Sequence, residues 1–268
     1  MSTLTITTIQ TQLFWEDKAA NLRMLQQKIE SITEKTELVI LPEMFSTGFS
    51  MQPEVLAETM DGETITWMKK IAEENGIILT GSLMIKEEGK FYNRLIWMLP
   101  NGQHGHYDKR HLFAYGEEDK HYATGNKRLI ASVKGWKINL QVCYDLRFPV
   151  WARQSPLLHG KETEGGAEYD VLIYVANWPE RRSHAWKTLL CARAIENQCY
   201  VVGVNRVGDD AKNIHYSGNS LVIDPEGQVL YHMADEEDIN TITITKEKLE
   251  QVRTKFPFLN DADEFSIL

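Results

Sequence analysis

Cysteine is scarce in this 268-residue chain: there are three, at positions 143, 191 and 199, odd in number and without a Cys-x-x-Cys pair. That excludes a disulfide framework and a cysteine-built metal site, and it fits a reducing compartment. The eight histidines are scattered, with no His-x-x-x-His pair, so no resident metal is predicted. Positive charge is in deficit, with 29 Lys and Arg against 38 Asp and Glu and a formal charge of -9. This balance argues against nucleic acid or an anionic membrane surface as the main partner. No apolar run reaches the length of a membrane span. The start, Met1-Ser2-Thr3-Leu4-Thr5-Ile6, lacks the basic residues and apolar core of a secretion signal. Glycine-rich phosphate loops and nucleotide fingerprints are also missing. What remains is the profile of a soluble cytoplasmic α/β protein, long enough for one domain or two closely fused halves.

What is present alternates regularly. A strand near Leu4 to Gln10 precedes a helix that Asp17 can cap, with Leu22, Leu25, Ile29 and Ile32 on one face. Leu38 to Leu41 reads as a short buried strand, and a helix over 63–75 ends at Gly76, which can supply a left-handed cap. Strands over 77–85 and 91–99 flank a polar turn, and Asn101-Gly102 makes a tight reversal that opens a turn-rich stretch to Asp108. The second half repeats the scheme: a strand over 137–142, a helix from Pro149, a strand over 171–175 and a helix capped by Ser183. A strand over 200–204 and a hairpin turning at Asp224-Pro225-Glu226-Gly227 follow. The pattern predicts two layers of sheet flanked by helices. The polar stretch 157–167 reads as a solvated insertion, and the charged tail after Lys246 as a segment lying on the surface or against a partner.

Three elements end on chemistry. The run 137–142 delivers Cys143, Leu38-Val39-Ile40-Leu41-Pro42 delivers Glu43, and the stretch ending at Asp108 delivers Lys109. A thiol, a carboxylate and an ammonium are the parts needed for acyl transfer through a thioester. Each also has a plainer explanation. Cysteines after apolar strands are mostly small core residues, a carboxylate after Pro42 suits a strand meeting solvent, and a charged cluster around Lys109 suits a solvated loop. A helix starting just after Cys143 would favour the thiolate.

Leu-Pro-Glu-Met at 41–44, Asp-Lys-Arg-His-Leu-Phe at 108–113, Cys-Tyr-Asp-Leu-Arg-Phe-Pro at 143–149 and Ala-Asn-Trp-Pro at 176–179 occur in that order. Together they resemble the carbon–nitrogen hydrolase (nitrilase) superfamily, and the likeness is traceable from about Leu4 to Gln228. The resemblance implies a single 1–268 domain folded as a four-layer α-β-β-α sandwich. It implies a triad of Glu43 as general base, Lys109 at the oxyanion and Cys143 as nucleophile, with the Tyr144 N–H as second oxyanion donor. An auxiliary glutamate is implied at Glu118, with Glu117 as its competitor.

By the same likeness Trp178 lines the substrate pocket, or else belongs to plain core. Arg147, Arg181 and Arg182 can hold a substrate carboxylate, although the last two also read as a solvated pair. Ser217-Gly218-Asn219-Ser220 reads as a pocket-side segment or, preferably, a mere turn. Glu-x-Phe-x-Thr-Gly-Phe-Ser at 43–50 and Gly-Glu-Glu-Asp-Lys-His-Tyr at 116–122 resemble the omega-amidase branch. That branch implies hydrolysis of the terminal amide of 2-oxoglutaramate or 2-oxosuccinamate without a cofactor, in a homodimer or larger assembly. Nitriles, N-carbamoyl compounds and other short amides are the alternative substrates, and a non-catalytic binding protein on the same fold is the alternative of another class.

Overall fold

Runs with no polar residue become the middles of two β-sheets. Leu-Val-Ile at 38–40 and Val-Leu-Ile-Tyr-Val-Ala at 171–176 are buried along their whole length, as expected of parallel strands covered on both faces. The computed structural model describes residues 2–154, 167–263, 265 and 267. Its first half contains β1 (Thr3–Gln10), α1 (Lys18–Glu30), β2 (Leu38–Ile40), α2 (Pro53–Leu56), α3 (Glu63–Asn75), β3 (Ile78–Glu87), β4 (Lys90–Met98) and β5 (His104–Asp108). Then come α4 (Glu118–His121), β6 (Leu129–Val133), β7 (Trp136–Val142), α5 (Pro149–Ala152), β8 (Val171–Ala176) and α6 (Ser183–Asn197). The chain ends with β9 (Tyr200–Asn205), β10 (Val207–Asp209), β11 (His215–Ile223), β12 (Val229–Ala234), β13 (Asp238–Thr245) and α7 (Lys246–Lys255).

One sheet has the order β13-β1-β2-β3-β4-β5; the other has β10-β11-β9-β8-β7-β6, with β12 also on β11. In each, three central strands run parallel, and antiparallel neighbours flank them. The repeat anticipated from sequence is therefore a repeat of sheet topology. The halves interlock, because β13 returns from the second to pair with β1 from Thr3↔Thr245 to Gln10↔Asp238.

Side chains alternate across each strand and so divide the core. Leu38 and Ile40 join Leu4, Ile6 and Trp97 against Ile138, Leu140 and Val171 of the other sheet. Val39 faces the opposite way, with Ile9 and Leu79, and packs on Leu22, Leu25 and Ile29 of α1 and Met68 and Ile71 of α3. Trp186, Leu190 and Ala194 of α6 cover the second sheet. The result is a four-layer α-β-β-α sandwich.

Local signals held where their chemistry is local. Asp17 accepts the Ala20 N–H at 2.9 Å, and Gly76 closes α3 at φ 63°. Three expectations change, and a fourth is refined. The stretch ending at Asp108 is the paired strand β5, whose single apolar side chain, Tyr107, hid it from a pattern search. Ser183 opens α6 but makes no cap, since a 3-10 turn over Glu180–Arg182 leads directly into the helix. Residues 217–220 lie inside β11, where a bulge puts Asn219 at φ 59°. The charged tail lies on the surface as expected, but its first part is ordered as α7, which buries Leu249 and Val252 and sends Arg253 to Asp170 and the Tyr169 carbonyl. The polar stretch 157–167 lies, Ala167 apart, outside the described residues.

Gly203 of β9 lets α6 lie close to the sheet: a Cβ there would stand 2.5 Å from Leu190 Cδ1 and 2.8 Å from Trp186 Cζ2. Gly203→Ala should therefore destabilise the protein by about 1–3 kcal/mol. Urea unfolding checks this, with a lower midpoint expected at an unchanged slope; an unmoved midpoint would mean that α6 does not bear on this strand.

Candidate active site

Strand ends from both sheets deliver the reactive groups. Glu43 follows β2, Lys109 follows β5, Cys143 follows β7 as the first residue of a 3-10 turn over Cys143–Arg147, and Glu118 opens α4. Cys143 sits at φ 44°, an uncommon conformation for a residue with a side chain. The strained elbow raises the thiol from the strand end into a cavity rather than into the sheet.

The four meet in a nearly sealed cluster, with Glu43 and Glu118 at 0%, Lys109 at 1% and Cys143 at 9% exposure. Lys109 Nζ donates to Glu43 Oε1 at 2.9 Å and to both Glu118 oxygens at 3.0 and 2.9 Å. Asn93 Nδ2 bridges the two carboxylates, at 2.8 Å to Glu43 and 3.0 Å to Glu118. Glu43 Oε2 accepts the Asn177 N–H at 2.8 Å, while its carbonyl accepts Asn177 Nδ2 at 2.6 Å. Glu118 Oε2 also accepts the Phe113 N–H at 2.6 Å. Of the two adjacent glutamates, then, Glu118 is inside. Glu117 leaves 62% of its side chain exposed and pairs with Lys120.

Electrostatics follow from that packing. Burial alone would push Lys109 down, but Glu118, Glu43 and Cys143 outweigh it and hold the ammonium well above the usual lysine value. Burial, then the charge of Glu43, pushes the Cys143 thiol well above its ordinary value despite the opposing pull of Lys109. The resting group is a thiol, contrary to the thiolate that a following helix suggested. The helix is one short 3-10 turn, and a thiolate would add a second net negative charge to two carboxylates and one ammonium. Glu118 is raised as well, by burial first, with Lys109 opposing and Glu43 adding to the effect.

The thiol opens on a cavity of about 550 Å³ whose walls include Lys109, Tyr144, Arg147, Trp178 and Arg182. Trp178 is both wall and core: 4% exposed, it donates its ring N–H to the Arg182 carbonyl and carries the Arg147 guanidinium 4.9 Å above its face. Arg182 lies over Phe113 at 5.1 Å, and exposed Arg181 stands at the rim. Among the described residues, no carboxylate pairs with Arg147, Arg181 or Arg182. The small-residue segment 217–220 does not reach the wall, whereas its neighbour Tyr216 does. Glu180, His215 and Asp235, all exposed, are a group among the described residues that could bring three metal-ligand atoms within 4.8 Å of one another.

Sequence reasoning missed Asn93, and gave no role to Asn177 although it lies within a quoted motif. Asn93 left only a weak trace, an amide in a mostly apolar strand from Phe91 to Leu99 that also holds Arg94.

Known proteins resemble this chain over its length. The model of the carbon-nitrogen hydrolase family matches residues 5–254. The chain is 41% identical to omega-amidase YafV of Escherichia coli (strain K12), with all of both chains covered. It is 33% identical to a 2-oxoglutaramate amidase of Bacillus subtilis (strain 168) over 96% of each. Among solved structures, XC1258 of Xanthomonas campestris, a CN-hydrolase superfamily protein with an arsenic adduct in its active site, superposes with a TM-score of 0.96 at 44% identity over the full length of both chains. From the fold, the buried site and these full-length likenesses, the chain belongs to the carbon–nitrogen hydrolase family.

Proposed function

We propose that the chain is an omega-amidase that hydrolyses the terminal amide of 2-oxoglutaramate, and of similar dicarboxylic acid monoamides such as 2-oxosuccinamate, to the 2-oxo acid and ammonia. The observation that carries this reading is one cavity lined both by Cys143 and Lys109, with Glu43 behind them, and by an arginine, Arg147, that has no carboxylate partner among the described residues. The names of two full-length relatives point the same way. Nitriles and short neutral amides suit the thiol equally well but leave Arg147 unused. N-carbamoyl amino acids carry a carboxylate, and comparing their rate with that of 2-oxoglutaramate separates the two.

The chemistry starts from a thiol. As Sγ of Cys143 bonds to the amide carbon, its proton passes to Glu43, so a free thiolate need not accumulate. Negative charge builds on the amide oxygen, facing Lys109 and the Tyr144 N–H, which lies in the first turn after the nucleophile and has no helical acceptor. Lys109 spends two of its three donors on Glu118, and one of these can turn to the oxyanion without leaving the ammonium unpaired. Glu43 returns the proton to the departing nitrogen, ammonia leaves, and an acyl thioester remains. Glu43 then takes a proton from water, the hydroxyl adds to the thioester, and the acid departs as the thiol is restored. No step needs a cofactor. Arg147 meets the far carboxylate through a bidentate, charge-assisted pair, with Trp178 as the floor beneath it. We place this reaction in a single 1–268 domain, in the cytoplasm and in a homodimer; sedimentation velocity tests the assembly.

Purified protein should release ammonia from 2-oxoglutaramate, and Cys143→Ala should abolish release; equal turnover in that variant would remove the thioester. Lys109→Ala should lower kcat on the order of a hundredfold to a thousandfold, the usual cost of one oxyanion donor. Arg147→Ala should raise KM for 2-oxoglutaramate by about tenfold to a hundredfold, the worth of a charged hydrogen bond, and leave a neutral aliphatic amide nearly unaffected. Equal losses on both substrates would sink the carboxylate clamp. The raised thiol value is checked by the ultraviolet thiolate absorbance of wild type minus Cys143→Ala. An ordinary thiol is half ionised at pH 9.0, and Cys143 should show little signal there.

A further inference from the structure

Asp145, two residues after the nucleophile, takes no part in the steps above. It is nevertheless fully buried, and both of its oxygens are saturated with donors. Oδ1 accepts the His111 N–H at 2.9 Å and faces His111 Nδ1 at 2.8 Å. Oδ2 accepts the Tyr107 hydroxyl at 2.7 Å and the Val142 N–H at 3.1 Å.

Those donors belong to two segments only. Tyr107 and His111 each lie two residues from Lys109, and Val142 immediately precedes Cys143. We propose that Asp145 is a positioning residue: it ties the lysine segment to the nucleophile turn and so sets where the Lys109 ammonium stands relative to the Cys143 thiol.

The proton arrangement is determined by the partners. The Tyr107 oxygen already accepts the Arg110 N–H at 3.1 Å and the Trp151 ring N–H at 2.9 Å, so its own hydrogen goes to Asp145. An ionised Asp145 only accepts, so His111 carries a proton on Nδ1. The imidazole is stacked on Phe148 at 3.8 Å and 5°, and the Phe148 N–H returns to the Asp145 carbonyl at 2.9 Å. Every group on the path from the lysine segment to the elbow is thus held on at least two sides. Asparagine at this position would be the wrong isostere. Each carboxylate oxygen receives two donors, so either amide orientation aims an NH₂ at groups that themselves donate.

This inference deepens the mechanism proposed above, and its test reads the thiol directly, without a substrate. The second-order rate of Cys143 alkylation by iodoacetamide is measured by mass spectrometry in wild type, Asp145→Asn, Lys109→Ala and the double variant. Lys109 favours the thiolate, so Lys109→Ala slows alkylation. Asp145→Asn should slow it on the order of tenfold, as expected when a buried, charge-assisted arrangement loses its acceptor. In the Lys109→Ala background the same change should cost about twofold or less, because residues that act through one another are not additive. Losses that multiply in the double variant, or a wild-type rate in Asp145→Asn, would overturn the proposal. If Asp145→Asn does not fold, Tyr107→Phe removes one donor of the four. A smaller slowing is expected there, again vanishing with Lys109→Ala, and no slowing would count against the idea. A wild-type protein that leaves 2-oxoglutaramate untouched would fail the substrate reading alone, with this cycle unaffected.

Discussion

An ammonium out of reach of water is stable only with negative charge at hydrogen-bonding distance, and Lys109 has two carboxylates there. Glu43 and Glu118 hold it between them, and Asn93 bridges the two carboxylates. The rest of the site depends on this cluster. It fixes the lysine, it leaves Glu43 with an oxygen anchored on the Asn177 N–H, and its burial, then the charge of Glu43, holds the Cys143 thiol well above its ordinary value. The proposed nucleophile and its proposed base are therefore parts of one electrostatic unit.

The sandwich exists, in effect, to bring that unit together. Glu43 leaves the middle strand of one sheet and Lys109 an edge strand of the same sheet, while Cys143 leaves a strand of the other sheet. None is within thirty residues of the next in sequence. Only close face-to-face packing of Leu38, Ile40 and Trp97 on Ile138, Leu140 and Val171 brings three strand ends within reach of one another. The return of β13 to β1 closes the first sheet with residues from the second half. A disturbance of either sheet would thus be felt at the same few side chains. Core close to native density transmits such shifts instead of absorbing them.

The proposed function puts specificity in the wall rather than in the cluster. Arg147 belongs to the same turn as Cys143, so the group proposed to read the substrate's charge and the group proposed to attack its amide share one short stretch of backbone. Trp178 supports that arginine from β8's exit loop, the same loop that anchors Glu43 through Asn177. In the proposed mechanism, substrate position and base position are thus coupled by adjacent residues.

Much of this was legible in the sequence because its causes are local. Asp17 and Gly76 act on neighbouring backbone, and apolar runs such as 171–176 can only be buried strands. The order Glu43, Lys109, Cys143 sits in motifs short enough to recognise. Strand β5 was not legible, since its side chains are nearly all polar and only pairing with β4 defines it. Nor could sequence separate Glu118 from Glu117, which differ by one position and by the whole of their burial. The protonated state of Cys143 was equally hidden: the turn after it argued for a thiolate, and the carboxylates that argue against one arrive from 100 and 25 residues away. The sequence by itself determined the elements whose pattern is local, and which reactive groups follow them. Tertiary structure decided which of those groups meet, because charge, burial and hydrogen bonding at the site come from strands that adjoin only after the two sheets have packed.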